Sequence, residues 1–399
     1  MSREGLGPEY GRVDCPRSWD EKPIISRWLD KQERRQRMTR ALTLVPSLFA
    51  SAALAACGSS PAASGFGSGS SSLSSTSATS TSAGGIPSSS GASGSGPAPG
   101  ASYQIDLVDP TSNMPSAIAC PTTTFCVVVD QEGNAYVFHG SGWSPPEQIT
   151  SDTGLTGPGD LQDVSCASAA WCVAVGYQNS TFVYSSGKWS EGPNYPGQGE
   201  MASISCPIVD FCAAVDGFDG AMTFDGSSWS GYTQPLGGAN IASFVAVSCT
   251  GSDFCAALGV TTTNPETSLY RSGTWGPPVI IGPNPYPDSV VGSGNYPSSV
   301  SCATPTFCVA VDWLGQAFAF DGSSWSAHTV DENSLNTVSC PSSGLCVAGD
   351  GNGDELTLTG GAWSAPAQVD SNGQIGEISC PSVQLCFALD PDGEVVVSK

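Results

Sequence analysis

The sequence predicts an all-β fold, a closed seven-bladed propeller of four-stranded blades, on three observations. One unit recurs seven times: a short strand ending in most copies in Ser-Cys, five residues, a second Cys, an apolar strand ending near Asp, a Gly-bearing turn, another strand, then Gly-Ser-Ser-Trp-Ser or a variant. Successive first cysteines lie 46, 40, 43, 53, 38 and 40 residues apart, the length of four short strands with their turns. The two ends of the chain carry complementary parts of one unit.

The third copy shows the unit whole. Ile204-Ser205-Cys206 ends strand A, Phe211-Cys212-Ala213-Ala214-Val215-Asp216 is strand B, and Ala221-Met222-Thr223-Phe224 is strand C; the turn Asp225-Gly226-Ser227-Ser228 then leads to Trp229-Ser230 and strand D. Alternation and β-branched content favour strands over helices throughout. The last copy stops at Val395-Val396-Val397-Ser398-Lys399, after strand C. Ser102-Tyr103-Gln104-Ile105-Asp106, ahead of the first copy, matches the strand D text Pro366-Ala367-Gln368-Val369-Asp370. An N-terminal strand is therefore expected to complete the last blade and close the ring, which removes free sheet edges.

The propeller is expected over residues 102–399. Before it, composition changes sharply. Ten of the 13 Lys and Arg lie at or before Arg40; beyond Cys57 only Lys188, Arg271 and Lys399 stand against 29 acidic residues, a formal charge of −26. Such a surface repels phosphate backbones and excludes nucleic acid as a partner. Residues 38–57, MTRALTLVPSLFASAALAAC, have a basic start, a short apolar stretch and small residues before a cysteine, the layout of a signal peptide. Leu54-Ala55-Ala56-Cys57 resembles a bacterial lipobox, which makes Cys57 the expected lipidation site and places the protein at the outer face of the cytoplasmic membrane; an ordinary cleaved signal and a secreted protein is the alternative. Residues 1–37 read as an upstream extension or an early start, with Arg34-Arg35 as a weaker twin-arginine motif. Residues 58–101, nearly all Gly, Ser, Ala, Thr and Pro, form a linker too poor in apolar residues to fold. As a flexible tether it spans roughly 35 to 40 Å.

Seven cysteine pairs share one spacing: Cys120/Cys126, Cys166/Cys172, Cys206/Cys212, Cys249/Cys255, Cys302/Cys308, Cys340/Cys346 and Cys380/Cys386. Thiolate metal sites combine such pairs with further Cys or His, and the chain has only His139 and His328. An exported chain meets an oxidising compartment, and cysteines at the end of strand A and the start of strand B lie on adjacent strands, so disulfides are expected.

The text Phe-Asp-Gly-Ser-Ser-Trp at 224–229 and 320–325 resembles the Asp-box turn of sialidase-type and photosystem-assembly-factor-type propellers, with Thr223, Asp225, Gly226, Ser228 and Trp229 matching in kind at a spacing one residue short. The whole repeat is similar to that of actinobacterial extracellular propeller lipoproteins. The resemblance implies fold rather than activity, since Asp-boxes are structural turns. Sialidases clamp a substrate carboxylate with an arginine cluster, and the propeller has the single arginine Arg271.

No catalytic constellation stands out. A Ser-His-Asp triad needs a histidine oriented by a carboxylate; His139 replaces the Asp of other C-to-D turns and His328 lies in strand D. The B-to-C turns carry many acids, including Asp130, Asp216, Asp312, Asp350 and Asp390, and recurrence is what a hairpin turn requires. Asp350-Gly351-Asn352-Gly353-Asp354 has the alternating oxygens of a calcium loop, so Asp350, Asn352 and Asp354 are candidate calcium ligands; no other cofactor is expected. The recurrent tryptophans read as packing. Trp313, beside Asp312, does not recur, and with Tyr286, Asp288 and Tyr296 of the long connection 276–298 it forms the candidate binding face. The expected function is a monomeric, non-enzymatic envelope module that binds a protein or glycan. The alternative is a carbohydrate-active hydrolase or lyase using paired carboxylates on the loop-rich face.

Overall fold

The computed structural model describes residues 102–105, 114–150, 161–197, 201–237, 243–261, 264–282, 297–371 and 373–398. The expected extension, signal segment, Cys57 and linker lie outside these residues, as do Tyr286, Asp288 and Tyr296. The described residues form seven antiparallel sheets, one per repeat. The inner strands are Pro115–Thr122, Leu161–Ser168, Met201–Ile208, Ser243–Gly251, Pro297–Thr304, Leu335–Ser342 and Glu377–Ser382. Each touches the inner strand of the blade before and the blade after, and the last touches the first, so the ring is closed.

Closure follows the chain ends. Ser102–Gln104 pairs with the third strand of blade seven, Ser102 opposite Val396 and Gln104 opposite Glu394. Ile105 continues onto the Gly393 carbonyl and is fully buried between blades seven and one.

The core is divided among the seams. Seven hydrophobic clusters each join two neighbouring blades, as Val128, Tyr136 and Phe138 of blade one meet Phe387, Leu389 and Val395 of blade seven. The second strands, such as Phe125–Asp130 and Trp171–Gly176, are buried along their whole length because both sheet faces are covered. That burial selects near-continuous Val and Ala rather than alternation.

The outer strands are shorter than a full fourth strand. Blade one has only Glu147–Gln148, and in blade six Ala362–Trp363 and Ala367–Gln368 pair separately with the third strand. Proline explains the gap: Pro145-Pro146 and Pro366 follow the Trp, and proline has no N–H for the ladder. Blade five lacks proline there and its outer strand runs unbroken from Trp325 to Thr329.

All seven expected disulfides form: Cys120–Cys126, Cys166–Cys172, Cys206–Cys212, Cys249–Cys255, Cys302–Cys308, Cys340–Cys346 and Cys380–Cys386, with Cα–Cα distances of 3.9–4.1 Å. Their partners face each other across the inner hairpin, as Cys302 does Cys308. Each closes the A-to-B end of one blade. The second cysteines Cys126, Cys172, Cys212, Cys255, Cys308, Cys346 and Cys386 are fully buried, because they sit on the strand that is covered on both faces. The bridges therefore belong to the packed core and not to any accessible site, a depth that spacing alone does not convey. Cys126, for example, packs with Phe138 and Phe387 in the seam between blades one and seven, and Cys172 with Val127 and Phe182 in the next.

An inner strand is a sheet edge whose outward N–H groups need acceptors. The serine of Ser-Cys supplies one from the blade before: Ser165 Oγ accepts the Cys206 N–H at 2.9 Å, and Ser205, Ser248, Ser301, Ser339 and Ser379 serve Cys249, Cys302, Cys340, Cys380 and Cys120 in the same way. Blade one carries Ala119 at this place. The Ser-Cys dipeptide therefore has two functions, a staple within the blade and a latch between blades.

Candidate binding face and axial carboxylates

The turns after the second strands share one geometry. Asp312 is fully buried and its Oδ1 accepts the N–H groups of Leu314 and Gln316 at 2.9 and 2.8 Å. Asp130, Asp216 and Asp350 bind their own turns identically through residues two and four further on. The recurrent acids are thus turn carboxylates. Asp312 acts on the face indirectly, by fixing the turn that presents half-buried Trp313. In blade three the same turn presents Phe218, 54% exposed, which the sequence reading passed over. Antiparallel topology puts these turns and the D-to-A connections on one face, so Phe218 and Trp313 flank blade four from either side.

At the candidate calcium loop, Asp350 Oδ1 accepts the backbone N–H groups of Asn352 and Asp354 at 2.8 and 2.7 Å. Asn352 therefore contributes a donor to this carboxylate. Asp331, from blade five, approaches the other side: Asn333 Nδ2 donates to Asp350 Oδ2 at 3.3 Å and to Asp331 Oδ1 at 3.4 Å.

On the opposite face the Asp-box-like turns close on themselves. Asp225 accepts from the Ser227 and Ser228 amides and hydroxyls, the Ser227 amide foremost, which holds its carboxyl at about 2. Asp321 does the same with Ser324 and Ser323, also at about 2. Phe138, Tyr184, Phe224, Tyr270 and Phe320 pack on the Trp of their own blades with ring centroids 5.0–5.4 Å apart, so these tryptophans are packing residues. His139 is exposed with its ring edge-on to Phe125, and His328 is exposed on the outer strand of blade five.

Around the axis the copies diverge. Two residues before the Ser of Ser-Cys stand Ala117, Asp163, Ser203, Ala246, Ser299, Thr337 and Glu377. Asp163 Oδ1 accepts its own Val164 N–H at 2.7 Å and Oδ2 accepts the Ile204 N–H of blade three at 2.8 Å. One carboxylate thereby covers two edge amides, where blade one offers only Ala117. Glu377 Oε2 accepts the Thr337 hydroxyl at 3.1 Å, and Thr337 Oγ1 accepts the Ile378 N–H. Desolvation pushes Asp163 up to about 6 against its amide bonds. Glu377 is pushed up to about 8 by desolvation and then by the charge of Asp163. Aligning the seven copies at this column would have found both.

A closed ring of seven antiparallel blades, four-stranded except that in blade three the outer edge makes only isolated bridges at Trp229 and Thr233, with a terminal strand completing the last blade, defines a seven-bladed β-propeller, here with a disulfide in every blade. Among solved structures it is similar to YCF48 bound to a D1 peptide, with a TM-score of 0.57 and 13% identity over 75% of this chain and 94% of that one. The WD40 β-propeller domain of Doa1 follows with a TM-score of 0.56 and 12% identity over 75% and 96%, and YCF48 from Cyanidioschyzon merolae with 0.53 and 14% over 75% and 98%. At these identities the likeness is one of fold. No protein-family model and no curated protein matches the chain.

Proposed function

We propose that the protein is an exported, lipid-anchored binding module that holds a rigid propeller face away from a membrane to engage a protein partner. One observation carries the reading: Phe218, more than half exposed, stands on a turn pinned by the buried Asp216, whose Oδ1 accepts the Phe218 and Gly220 N–H groups, on the same face as Trp313. An exposed aromatic on a rigid turn costs little entropy to immobilise, the property of an interface anchor. The structural neighbours are compatible with a protein ligand, since one is described with a bound peptide. The −26 charge of the mature chain favours a basic partner surface. The lipid anchor rests on the lipobox-like text at Cys57 and the export signal before it.

The hydrolase alternative gains one observation, the pair Asp163 and Glu377 with unequally raised pKa values of about 6 and about 8. Both oxygens of Asp163 are engaged by backbone N–H groups, which fits a structural carboxylate better than a nucleophile or base. Glycan remains the second ligand class.

The test is cross-linking in the native envelope followed by identification of the bound protein, comparing the parent chain with Phe218→Ser and Trp313→Ala. A partner captured by the parent and weakened at least tenfold by Phe218→Ser sustains the reading; capture indifferent to both changes sinks it. Intact mass measured before and after reduction tests the anchor separately. Acylated Cys57 as the first residue is the expected result, with a gain of fourteen hydrogens for the seven bridges.

A further inference from the structure

Six of the seven seams are closed by the same pair of side chains. The strand C residue opposite the second cysteine is Phe138, Tyr184, Phe224, Tyr270, Phe320 or Leu358 in blades one to six, and it faces the blade before. The tryptophan of the same blade joins it: Trp143, Trp189, Trp229, Trp275, Trp325 and Trp363 each pack into the cluster shared with the preceding blade. The residue after the tryptophan then clips the strand down. The N–H groups of Ser144, Ser230, Gly276 and Ser364 bond the carbonyls of Val137, Thr223, Leu269 and Thr357 at 2.7–2.9 Å.

The seam between blades six and seven has neither member of the pair. Ser398 stands opposite Cys386, where the other blades carry a large apolar residue. Tyr103 of the closing strand lies opposite Val395 as Glu147 lies opposite Ala135, and in that register the sequence puts Pro99 in the tryptophan column and Gly100 in the column of the clip. The cluster at this seam, around Val347, Ile375, Ile378 and Ala388, is the one of the seven with no aromatic residue among its described members. Where the rings would stand, a cleft of about 340 Å³ opens, lined by Val369 and Asp370 of blade six and by Glu394, Val396 and Ser398 of blade seven. The acceptor for an indole is nevertheless in position. Thr181 Oγ1 accepts the Trp229 indole N–H at 3.2 Å, and the same column of strand C in blade six holds the buried Glu355, to which the Ser398 hydroxyl donates.

We propose that this seam docks an extended segment of a partner protein that carries a tryptophan beside a basic residue. The other six seams show the chemistry that fills the place, a strand laid along the outer edge of strand C with its tryptophan turned into the seam. Val369 and Val396 offer the ring apolar walls, and Glu355 offers its N–H an acceptor. Charge selects the neighbouring residue: Asp370 and Glu394 line the cleft and no lining residue is basic, so Lys or Arg complements it. Among the described residues the closing strand covers strand C from Glu394 to Val396, and the docked strand continues it at Val397. The cleft lies at the outer strands of blades six and seven, apart from Phe218 of blade three and Trp313 of blade five, and the inference does not rest on their role.

The experiment is titration of the disulfide-intact protein into a labelled, capped peptide, Lys-Ser-Ser-Trp-Ser-Lys, read by fluorescence anisotropy. The same peptide is tested with alanine for tryptophan and, separately, with glutamate for both lysines. The parent peptide should bind, and each altered peptide should bind about tenfold more weakly or worse, having lost the aromatic anchor or the charge match. Val396→Tyr, which copies Tyr136 of blade one, should fill the cleft and abolish binding. Phe218→Ser should leave it unchanged, so a failure here and a failure of the Phe218 face are separate results. A protein that does not bind the tryptophan peptide, equal binding of the alanine peptide, or binding that survives Val396→Tyr would overturn the proposal. A dimer in sedimentation that Val396→Tyr dissolves would give the cleft to a second copy of the chain and overturn it as well. The comparison of peptides decides the question even if the variant does not fold.

Discussion

The first hairpin of every blade can be compared end to end. At its disulfide end the seven copies are interchangeable: the same Cys spacing and the same cross-strand geometry, with a serine latch in six of them. At its turn end they differ, with Asp130, Asp216 and Asp312 bonded within their own blades and Asp350 and Asp390 also standing against Asp331 and Asp370 of the blade before. The axial column differs too, from Ala117 through Ser203 to Glu377. A feature that every blade repeats answers a requirement that every blade has, namely closing its hairpin and covering the edge of the next. A feature found in one or two blades answers something else, and those are the positions from which function can be argued.

The sharpest way to break this comparison is to remove what is common. Each small loop closed by a bridge contributes about 2 kcal/mol on the loop-entropy account. Seven together rival the whole stability of an ordinary domain, roughly 5 to 15 kcal/mol. Full reduction is therefore expected to unfold the propeller at ambient temperature, whereas the pair Cys302→Ser with Cys308→Ser should lower its unfolding free energy by about 2 kcal/mol in denaturant titrations. If single pairs from different blades differ widely, the interchangeability of the disulfide end is wrong.

The axial acids supply the next largest effect. Asp163 and Glu377 are the only carboxylates on the seven inner strands, which carry no Lys, Arg or His. Both hold a proton more tightly folded than unfolded, so their contribution is complete below about pH 4 and is lost as pH rises through about 6 for Asp163 and about 8 for Glu377. For Glu377 the loss is roughly 3 to 5 kcal/mol across that window, at about 1.4 kcal/mol per pH unit. Asp225 and Asp321 act oppositely, losing their contribution as pH falls through 3.8 towards about 2. Melting temperatures between pH 4 and 9 should fall on the alkaline side, and Glu377→Gln should flatten that limb. Asp163→Asn should instead destabilise at every pH, because an amide presents one acceptor where two N–H groups need two. Equal behaviour of the two variants would refute the distinction between a relieved charge and a doubly engaged one.

Much of this was legible before any coordinates. Periodicity located every blade, and the Ser102 to Asp106 text located the closing strand, because each rests on local repetition along the chain. The reasons for Asp312 and Asp350 were half legible: composition suggested turns, and the burial that makes Asp312 a support for Trp313 needed the fold. Asp331 was missed as a neighbour of Asp350 because it belongs to the preceding blade, and a motif read along one loop does not see across a seam. Strand D was expected after each Trp, and where prolines follow Trp143 and precede Ala367 the missing N–H donors leave only short pieces of it, Glu147–Gln148 in blade one and Ala367–Gln368 in blade six. Asp163 and Glu377 escaped because the unit was described by what its copies share.

The smallest predicted effect tests the latch itself. Five of the six serines accept a cysteine N–H at 2.9–3.0 Å and the sixth, Ser339, at 3.1 Å, so each spans one seam by the same bond. Replacing Ser301 by Ala should cost about 1 kcal/mol, the net worth of a hydrogen bond to an edge amide that axial water can partly replace. Ala119 is the natural counterpart of that variant: it occupies the serine column of blade one, facing the edge of blade two that carries Cys166. Ala119→Ser should therefore gain about 0.5 to 1 kcal/mol by adding the one acceptor that column lacks, and it should slow hydrogen exchange at Cys166 in particular. A gain without Cys166 protection would mean that the serine stabilises by some route other than the latch. A loss would mean that blade one keeps alanine for room at the axis, beside Asp163 and Glu377, and would move attention from the seams to the space between those two acids.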